Sequence, residues 1–116
     1  MAQYRAERLS QEIQRFVSEA LQLELRDPRL HMASVTRVEV SHDMQHAKVY
    51  ISAVTVDERD EAAKVLERAR GFLRRGLAAR LTMRTTPELH FVPDRSIAAG
   101  DQVLAIIREL PTTDGS

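Results

Sequence analysis

A helical stripe of apolar residues interrupted by a glycine is the feature of this sequence that most constrains its fold. The stripe comprises Ala62, Val65, Leu66, Ala69 and Leu73 and continues at four-residue steps through Leu77 and Leu81. Gly71 falls inside it, where glycine costs about 1 kcal/mol relative to alanine. We therefore predict two helices that share one buried face, with a kink or a close backbone approach at Gly71. Gly76 weakens the second helix further.

The same stretch is strongly basic. Residues 68–84 contain six arginines and no acidic residue, in a chain of zero formal net charge. They are Arg68, Arg70, Arg74, Arg75, Arg80 and Arg84. On a helical wheel Arg80 projects near the apolar stripe, and the four arginines before it point away from the leucines. Arg84 follows as the chain leaves the second helix. A local basic face predicts contact with nucleic-acid phosphates. A solvated face paired with neighbouring carboxylates remains the alternative.

Length and composition narrow the class of protein. A chain of 116 residues suits one domain, which we place at residues 1–110, with a loose tail at 111–116. Cysteine is absent, which excludes disulfides and thiolate chemistry. No apolar run approaches the roughly 20 residues that span a bilayer. The N-terminus carries no apolar segment typical of a secretory signal. We expect a cytoplasmic protein with no membrane partner.

The remaining elements follow from hydrophobic periodicity. They are a helix at about residues 4–25, strands at 34–41, 47–56 and 88–92, the two helices of the arginine-rich stretch, and a final helix at about 96–110. Val35 breaks the alternation of the first strand and predicts a late start or a bulge. The first two strands are joined by the short polar turn of residues 42–46 and are expected to form a hairpin. Asp57 is expected to cap the helix that follows the hairpin. This order predicts an α+β fold with helices packed on a small three-stranded sheet.

No motif predicts an enzyme or a bound cofactor. His42, Asp43 and His46 share one polar turn, which turn geometry explains better than metal binding, so no metal site is predicted. Phe16, Phe72 and Phe91 all fall on expected core faces. That placement disfavours recognition of bases by stacking and favours contacts to phosphates and backbone shape.

Five segments, taken in their order and spacing, resemble the ribosome-binding factor A family of bacterial small-subunit assembly factors. The segments are residues 27–30 (DPRL), 38–43 (VEVSHD), 47–51 (AKVYI), 69–74 (ARGFLR) and 87–91 (PELHF). The resemblance covers residues 8–110, nearly the whole chain. Each segment alone is a weak signal, and together they are highly specific.

The resemblance implies a type II KH-like fold. In this family an Ala-X-Gly kink between two helices replaces the Gly-X-X-Gly loop of ordinary KH domains, and Ala69-Arg70-Gly71 matches that kink. The family binds free small (30S) ribosomal subunits, assists late maturation and processing of 16S rRNA, and is linked to growth in the cold. Its members are not enzymes. The resemblance thus implies 16S rRNA and the 30S subunit as partners of a protein expected to be monomeric.

The resemblance also suggests RNA-contacting residues. It assigns Arg70, Arg74 and Arg84 to the contact surface, and the charge pattern adds Arg68, Arg75 and Arg80. Thr82 stands where relatives often carry a basic residue, and Gly76 is unexpected in the second helix. The alternative hypothesis is a module that contacts ribosomal proteins through the first helix or the hairpin.

Overall fold

The computed structural model describes residues 2–23, 27–81 and 85–95 and the side chains of residues 6–22, 27–81 and 85–95. The elements are α1 (Ala2–Leu23), a 3-10 turn (Pro28–Leu30), β1 (Ser34–Val40), β2 (His46–Ser52), α2 (Val56–Arg68), α3 (Arg70–Arg80) and β3 (Glu88–Pro93). The α+β prediction is confirmed. The predicted final helix, the tail, Thr82 and Arg84 lie outside the described residues. No helix in the described part is both long and apolar enough to cross a membrane.

The three strands form one sheet in the order β1-β2-β3. β1 and β2 pair antiparallel, as the predicted hairpin requires, and their register shifts between Val35 and Arg37. This irregularity is the bulge that Val35 predicted. β2 and β3 pair in parallel, with His46 opposite Glu88 and Val49 opposite Phe91. A parallel pair needs a crossover connection, and α2 with α3 provides it.

One hydrophobic core joins the helices to one face of the sheet. The fully buried members include Ile13 and Val17 of α1, Val49 and Ile51 of β2, and Leu66, Leu73 and Leu77 of α2 and α3. Because side chains alternate along a strand, His46, Lys48 and Tyr50 lie on the opposite, outer face of the sheet. The predicted core stripe of the two helices is therefore confirmed.

The cap of α2 differs from the prediction. Thr55, not Asp57, is the N-cap. The Glu58 backbone N–H donates to Thr55 Oγ1 at 3.1 Å, and the Thr55 N–H donates to Glu58 Oε1 at 3.2 Å. This reciprocal capping box satisfies two helix-end donors at once, which a single cap at Asp57 would not achieve. Asp57 instead lies in the first turn, where its negative charge still suits the helix dipole.

The glycines of α3 also differ from expectation. A Cβ built at Gly71 meets nothing nearer than Arg75 Nη1 at 3.8 Å, so no backbone approaches closely there. A Cβ at Gly76 would lie 2.9 Å from Phe16 Cζ. The close approach expected at Gly71 therefore occurs at Gly76, where the missing Cβ admits the Phe16 ring of α1. The helix continues through Gly76 to Arg80.

Phe72 is not a core residue, and its predicted burial is wrong. It is 51 % exposed, whereas Leu73 is fully buried. Adjacent helical residues point about 100° apart, so the side that buries Leu73 and Leu77 turns Phe72 outward. Phe16 and Phe91 are buried, as predicted.

Candidate nucleic-acid interface

The break between α2 and α3 lies at Ala69, whereas Gly71, where the sequence predicted the kink, lies inside α3. The Ala69 backbone has φ −93° and ψ 6°, outside the helical values on either side. The Ala69 N–H is shared between the carbonyls of Val65 at 3.2 Å and Leu66 at 3.0 Å. The Ala69 carbonyl accepts from the Leu73 N–H at 3.0 Å, which starts α3. The two helices are thus almost continuous, and one residue, Ala69, separates them.

Two side chains hold this break against β3. Glu67 Oε1 accepts a hydrogen bond from the Phe91 backbone N–H at 2.8 Å. On the other side of the break, Arg74 donates from Nη2 and Nε to the Thr86 carbonyl at 2.7 and 3.2 Å. Both contacts join a helix side chain to the backbone of β3 or of the segment before it. The orientation of the basic face is therefore fixed by the fold.

Two of the six predicted arginines are exposed and form no hydrogen bond or ion pair in the described part of the chain. No hydrogen bond or ion pair there involves the side chain of Arg68, in the last turn of α2, or of Arg75, in the middle of α3. A guanidinium offers five N–H donors, and here they face solvent. These two side chains are free to bind an anion without first breaking a protein contact.

Two further arginines are exposed and held by carboxylates. Arg70 Nη1 lies 2.8 Å from Glu67 Oε2, and Arg80 forms an ion pair with Glu19 of α1. The Arg80 guanidinium also lies 5.4 Å from the centre of the Phe16 ring. Exposed ion pairs contribute only about 0–1 kcal/mol, so a phosphate can compete for these two arginines. Arg80, which the helical wheel placed near the apolar stripe, is exposed in the structure.

Arg74 is different because its guanidinium already has a structural contact. Its side chain is half-buried and binds the Thr86 carbonyl. An RNA contact by Arg74 stays a prediction, and so does one by Arg84, which lies outside the described residues. The arginines that lie on the described surface with a free or weakly held guanidinium are Arg68, Arg70, Arg75 and Arg80. We call this set of four the arginine face; around the axis of α3 its members Arg70, Arg75 and Arg80 are about 140° apart, so the name denotes the set and not one side of the helix.

Phe72 is an exposed aromatic side chain on α3, the helix that carries Arg70, Arg75 and Arg80. Its exposure was not predicted from the sequence. Phe72 lies between Arg70 and Arg75 in the sequence, and no other described aromatic ring is among the exposed large hydrophobic side chains. Its position immediately before Leu73 was the available signal, since a residue one step from the centre of a stripe points away from it. A ring here can stack on a base or pack on a sugar.

Elsewhere, one arginine on the sheet and one in the loop after α1 are paired with carboxylates. On the outer face of the sheet, Arg37 Nη1 lies 2.7 Å from Glu39 Oε2 and its guanidinium is 4.0 Å from the centre of the Tyr50 ring. In the loop after α1, hydrogen bonds from the Arg29 side chain and backbone lower the pKa of Asp27 to about 2, with a smaller Coulombic contribution from Arg68. Arg29 and Arg37 are thus each hydrogen-bonded to a carboxylate, which Arg68 and Arg75 are not within the described residues.

Comparison with known proteins identifies the family. The sequence model described as ribosome-binding factor A matches residues 5–107. Ribosome-binding factor A of Chloroflexus aggregans is 46 % identical over 112 residues, which cover 95 % of this chain and 88 % of that protein. Both coverages are nearly complete, so the similarity extends over the whole domain and is not confined to a motif.

Solved structures agree with this sequence similarity. The crystal structure of ribosome-binding factor A from Thermus thermophilus has a TM-score of 0.68 at 36 % identity, covering 78 % of this chain and 97 % of that one. A Thermus thermophilus homology model fitted into the cryo-EM map of a complex with the 30S subunit has a TM-score of 0.64 at 35 % identity, covering 76 % and 93 %. The matched proteins are binding factors and not enzymes. With three helices and a three-stranded sheet in its described residues and a near full-length match, the chain belongs to the ribosome-binding factor A family.

Proposed function

We propose that this protein binds the small ribosomal subunit by placing the arginine face on 16S rRNA. The observation that carries the proposal is the pair of exposed arginines, Arg68 and Arg75, that have no partner in the described part of the chain. The backbone contacts of Glu67 and Arg74 orient this surface before any partner arrives. The Thermus thermophilus relative in complex with the 30S subunit supports the choice of partner.

Binding at this face requires few changes within the protein. Arg68 and Arg75 lose only water when they meet phosphate oxygens, and Arg70 and Arg80 exchange an exposed carboxylate for a phosphate. Arginine suits this exchange because its planar guanidinium matches phosphate oxygens in a bidentate geometry. Phe72 contributes a stacking surface beside them. Arg84 extends the same basic stretch in sequence.

The proposed activity is assistance of late 30S maturation, including the processing of 16S rRNA. No bond is broken by the protein. It binds one rRNA conformation more tightly than another and shifts the population by that difference in affinity. Cold slows rearrangement of RNA structure, which would account for a role in growth at low temperature. The protein would act in the cytoplasm as a monomer without a cofactor.

Charge reversal at the two unpartnered arginines tests the proposal. The variant Arg68→Glu/Arg75→Glu is compared with Lys48→Glu/Arg95→Glu, which makes the same change in net charge at exposed residues outside the arginine face, Lys48 being on the outer face of the sheet. Co-sedimentation with free 30S subunits should be lost in the first variant and retained in the second. Arg74 is left unchanged because its substitution would also break the contact to Thr86. Equal binding by both variants and the unmodified protein would overturn the proposal.

Salt dependence gives a second measurement of the same contacts. Each phosphate contact removed should reduce the slope of log affinity against log salt concentration by about 1. The Arg68→Glu/Arg75→Glu variant should therefore lower that slope by about 2, whereas the control variant leaves it unchanged. Binding to whole subunits but not to isolated 16S rRNA, with an unaltered slope, would favour contact with ribosomal proteins instead.

A further inference from the structure

Two histidines and one glutamate converge on the outer face of the sheet, at one end of β2 and β3. His46 Nδ1 lies 3.1 Å from His90 Nε2. Glu88 Oε1 lies 3.8 Å from His46 Nδ1 and 3.9 Å from His90 Nε2. One donor atom from each residue therefore lies within 4.8 Å of the other two. All three side chains are at least partly exposed, so an ion can reach them from solvent.

We propose that His46, Glu88 and His90 form a binding site for a divalent transition-metal ion of the Zn²⁺ type. Such ions are commonly bound by imidazole nitrogens and carboxylate oxygens, and this cluster offers two of the first and one of the second. Water can complete the coordination. Mg²⁺ and Ca²⁺ prefer oxygen ligands and are poorly suited to it. The site is independent of the arginine face and involves none of its residues.

The spacing of the donor atoms matches the geometry such an ion needs. Two nitrogens that each lie about 2.1 Å from a tetrahedral Zn²⁺ are separated by about 3.4 Å. The observed separation between His46 Nδ1 and His90 Nε2 is 3.1 Å, so the rings must part by a few tenths of an ångström. The Glu88 oxygen must approach by about half an ångström from its 3.8 and 3.9 Å distances. Side-chain rotations at an exposed surface can supply both movements.

The pairing of β2 with β3 holds the three ligand residues in place before an ion binds. His46 and Glu88 are register partners in the parallel β2–β3 pair, and His90 follows Glu88 by two residues, which returns it to the same face. The Glu88 backbone N–H donates to the Gln45 carbonyl at 2.9 Å, which fixes the starts of the two strands relative to each other. Ligands carried by hydrogen-bonded strands are held more closely in place than ligands on a loop.

The tautomer of one of the two rings must change when the ion binds. Without an ion, one of the two facing nitrogens donates a proton to the lone pair of the other. With an ion, both facing nitrogens present lone pairs, and the remaining proton of each neutral ring lies on its other nitrogen. His46 would then bind through Nδ1 and His90 through Nε2. Glu88 contributes the negative charge that partly neutralises the cation.

His46, which the sequence grouped with His42 and Asp43 in one turn, belongs instead to the cluster with Glu88 and His90. Asp43 is occupied in the turn: its Oδ1 accepts from Ser41 Oγ at 2.7 Å and from the Gln45 N–H at 3.0 Å. His42 is exposed and does not belong to the cluster. The contacts to Glu88 and His90 depend on the parallel pairing of β2 with β3, so periodicity alone did not reveal them.

Titration of the full chain with ZnCl₂ by isothermal calorimetry tests the proposal. We expect one Zn²⁺ per chain and no measurable heat of binding with MgCl₂. His46→Gln and His90→Gln should each weaken Zn²⁺ binding by more than about tenfold, the scale at which loss of even an outer-shell partner is felt. The chain offers matched controls in His31→Gln and His42→Gln, since both residues are exposed and outside the cluster. These should change the affinity less than twofold.

A second readout follows the ligands themselves. Addition of Zn²⁺ should shift the NMR ring signals of His46 and His90 and leave those of His31 and His42 in place. Circular dichroism of each variant establishes that its fold is retained. Absence of Zn²⁺ binding by the unmodified protein, or equal loss in the control variants, would overturn the proposal. Neither result bears on 30S binding, since no ribosome is present in the assay.

Discussion

The carboxylate of Glu67 accepts a hydrogen bond from the backbone N–H of Phe91 at 2.8 Å. β3 is an edge strand, and a buried or half-buried backbone donor on such an edge needs a partner. The same carboxylate holds Arg70 through its other oxygen. One side chain in the last turn of α2 therefore both completes the edge of the sheet and positions a residue of the arginine face.

Replacement of Glu67 should consequently cost more than replacement of an ordinary surface acid. Glu67→Ala leaves the Phe91 N–H without its acceptor, and we expect a loss of about 1–3 kcal/mol in the free energy of unfolding. Glu61→Ala is the control, because Glu61 pairs only at the surface with Arg29 in the described structure and should cost less than about 1 kcal/mol. Urea unfolding measures both. Equal losses would show that the contact to β3 adds nothing.

The two glycines of α3 should respond to alanine with opposite signs. Gly71→Ala places a methyl group in ordinary van der Waals contact with the Arg75 side chain, 3.8 Å away, and should stabilise the protein by up to about 1 kcal/mol through helix propensity. Gly76→Ala places a methyl group 2.9 Å from the buried ring of Phe16, so overpacking of about 1–3 kcal/mol should outweigh the same gain. Thermal unfolding of both variants gives the comparison. Phe16→Leu should reduce the cost of Gly76→Ala, and stabilisation by both glycine substitutions would contradict the structure.

Sequence periodicity predicted the fold better than it predicted the surface. The stripes of α1, α2 and α3 and the alternation of β2 are consequences of burial, and each recurs at a period visible along the chain. The contacts of Glu67 to Phe91, Arg74 to Thr86 and Gly76 to Phe16 join residues that are distant or irregularly spaced in sequence. They depend on how the elements pack, which no local pattern encodes.

In the candidate site, too, the sequence predicted what repeats along the chain and not which side chains make tertiary contacts. Charge alone grouped six arginines, but the sequence could not distinguish the unpartnered Arg75 from the adjacent Arg74, whose guanidinium binds a backbone carbonyl. The difference arises because Arg74 faces the segment before β3. Phe72 was misplaced because a helical wheel for a kinked pair of helices does not fix the limits of the buried face. Binding residues were therefore predictable as a region and not individually.

The Asp27–Arg29 contact predicts a dependence of stability on pH. Hydrogen bonds from Arg29 lower the pKa of Asp27 from 3.8 to about 2 in the folded protein. The unfolded chain binds this proton first as the pH falls, so the contact stabilises the fold above about pH 4 and is lost as the pH approaches 2. Asp27→Asn should lower the free energy of unfolding at pH 6, and the difference from the unmodified protein should disappear near pH 2. A constant difference over that range would assign the effect to something other than the ionised carboxylate.

Phe72 should contribute to binding and contribute little to stability. Because its side chain is 51 % exposed, Phe72→Ala should change the free energy of unfolding by less than about 1 kcal/mol, whereas truncation of a buried phenylalanine such as Phe91 costs about 3–5 kcal/mol.

Stacking of a base on Phe72 is worth about 1–3 kcal/mol, so the affinity of Phe72→Ala for the 30S subunit should fall by about 5- to 150-fold. The control is Val54→Ala, which removes an exposed apolar side chain from the loop before α2 and should leave the affinity unchanged. Filter binding and urea unfolding separate the two effects. Unchanged affinity of Phe72→Ala would remove the aromatic contact from the interface and leave the arginines as its only described contributors.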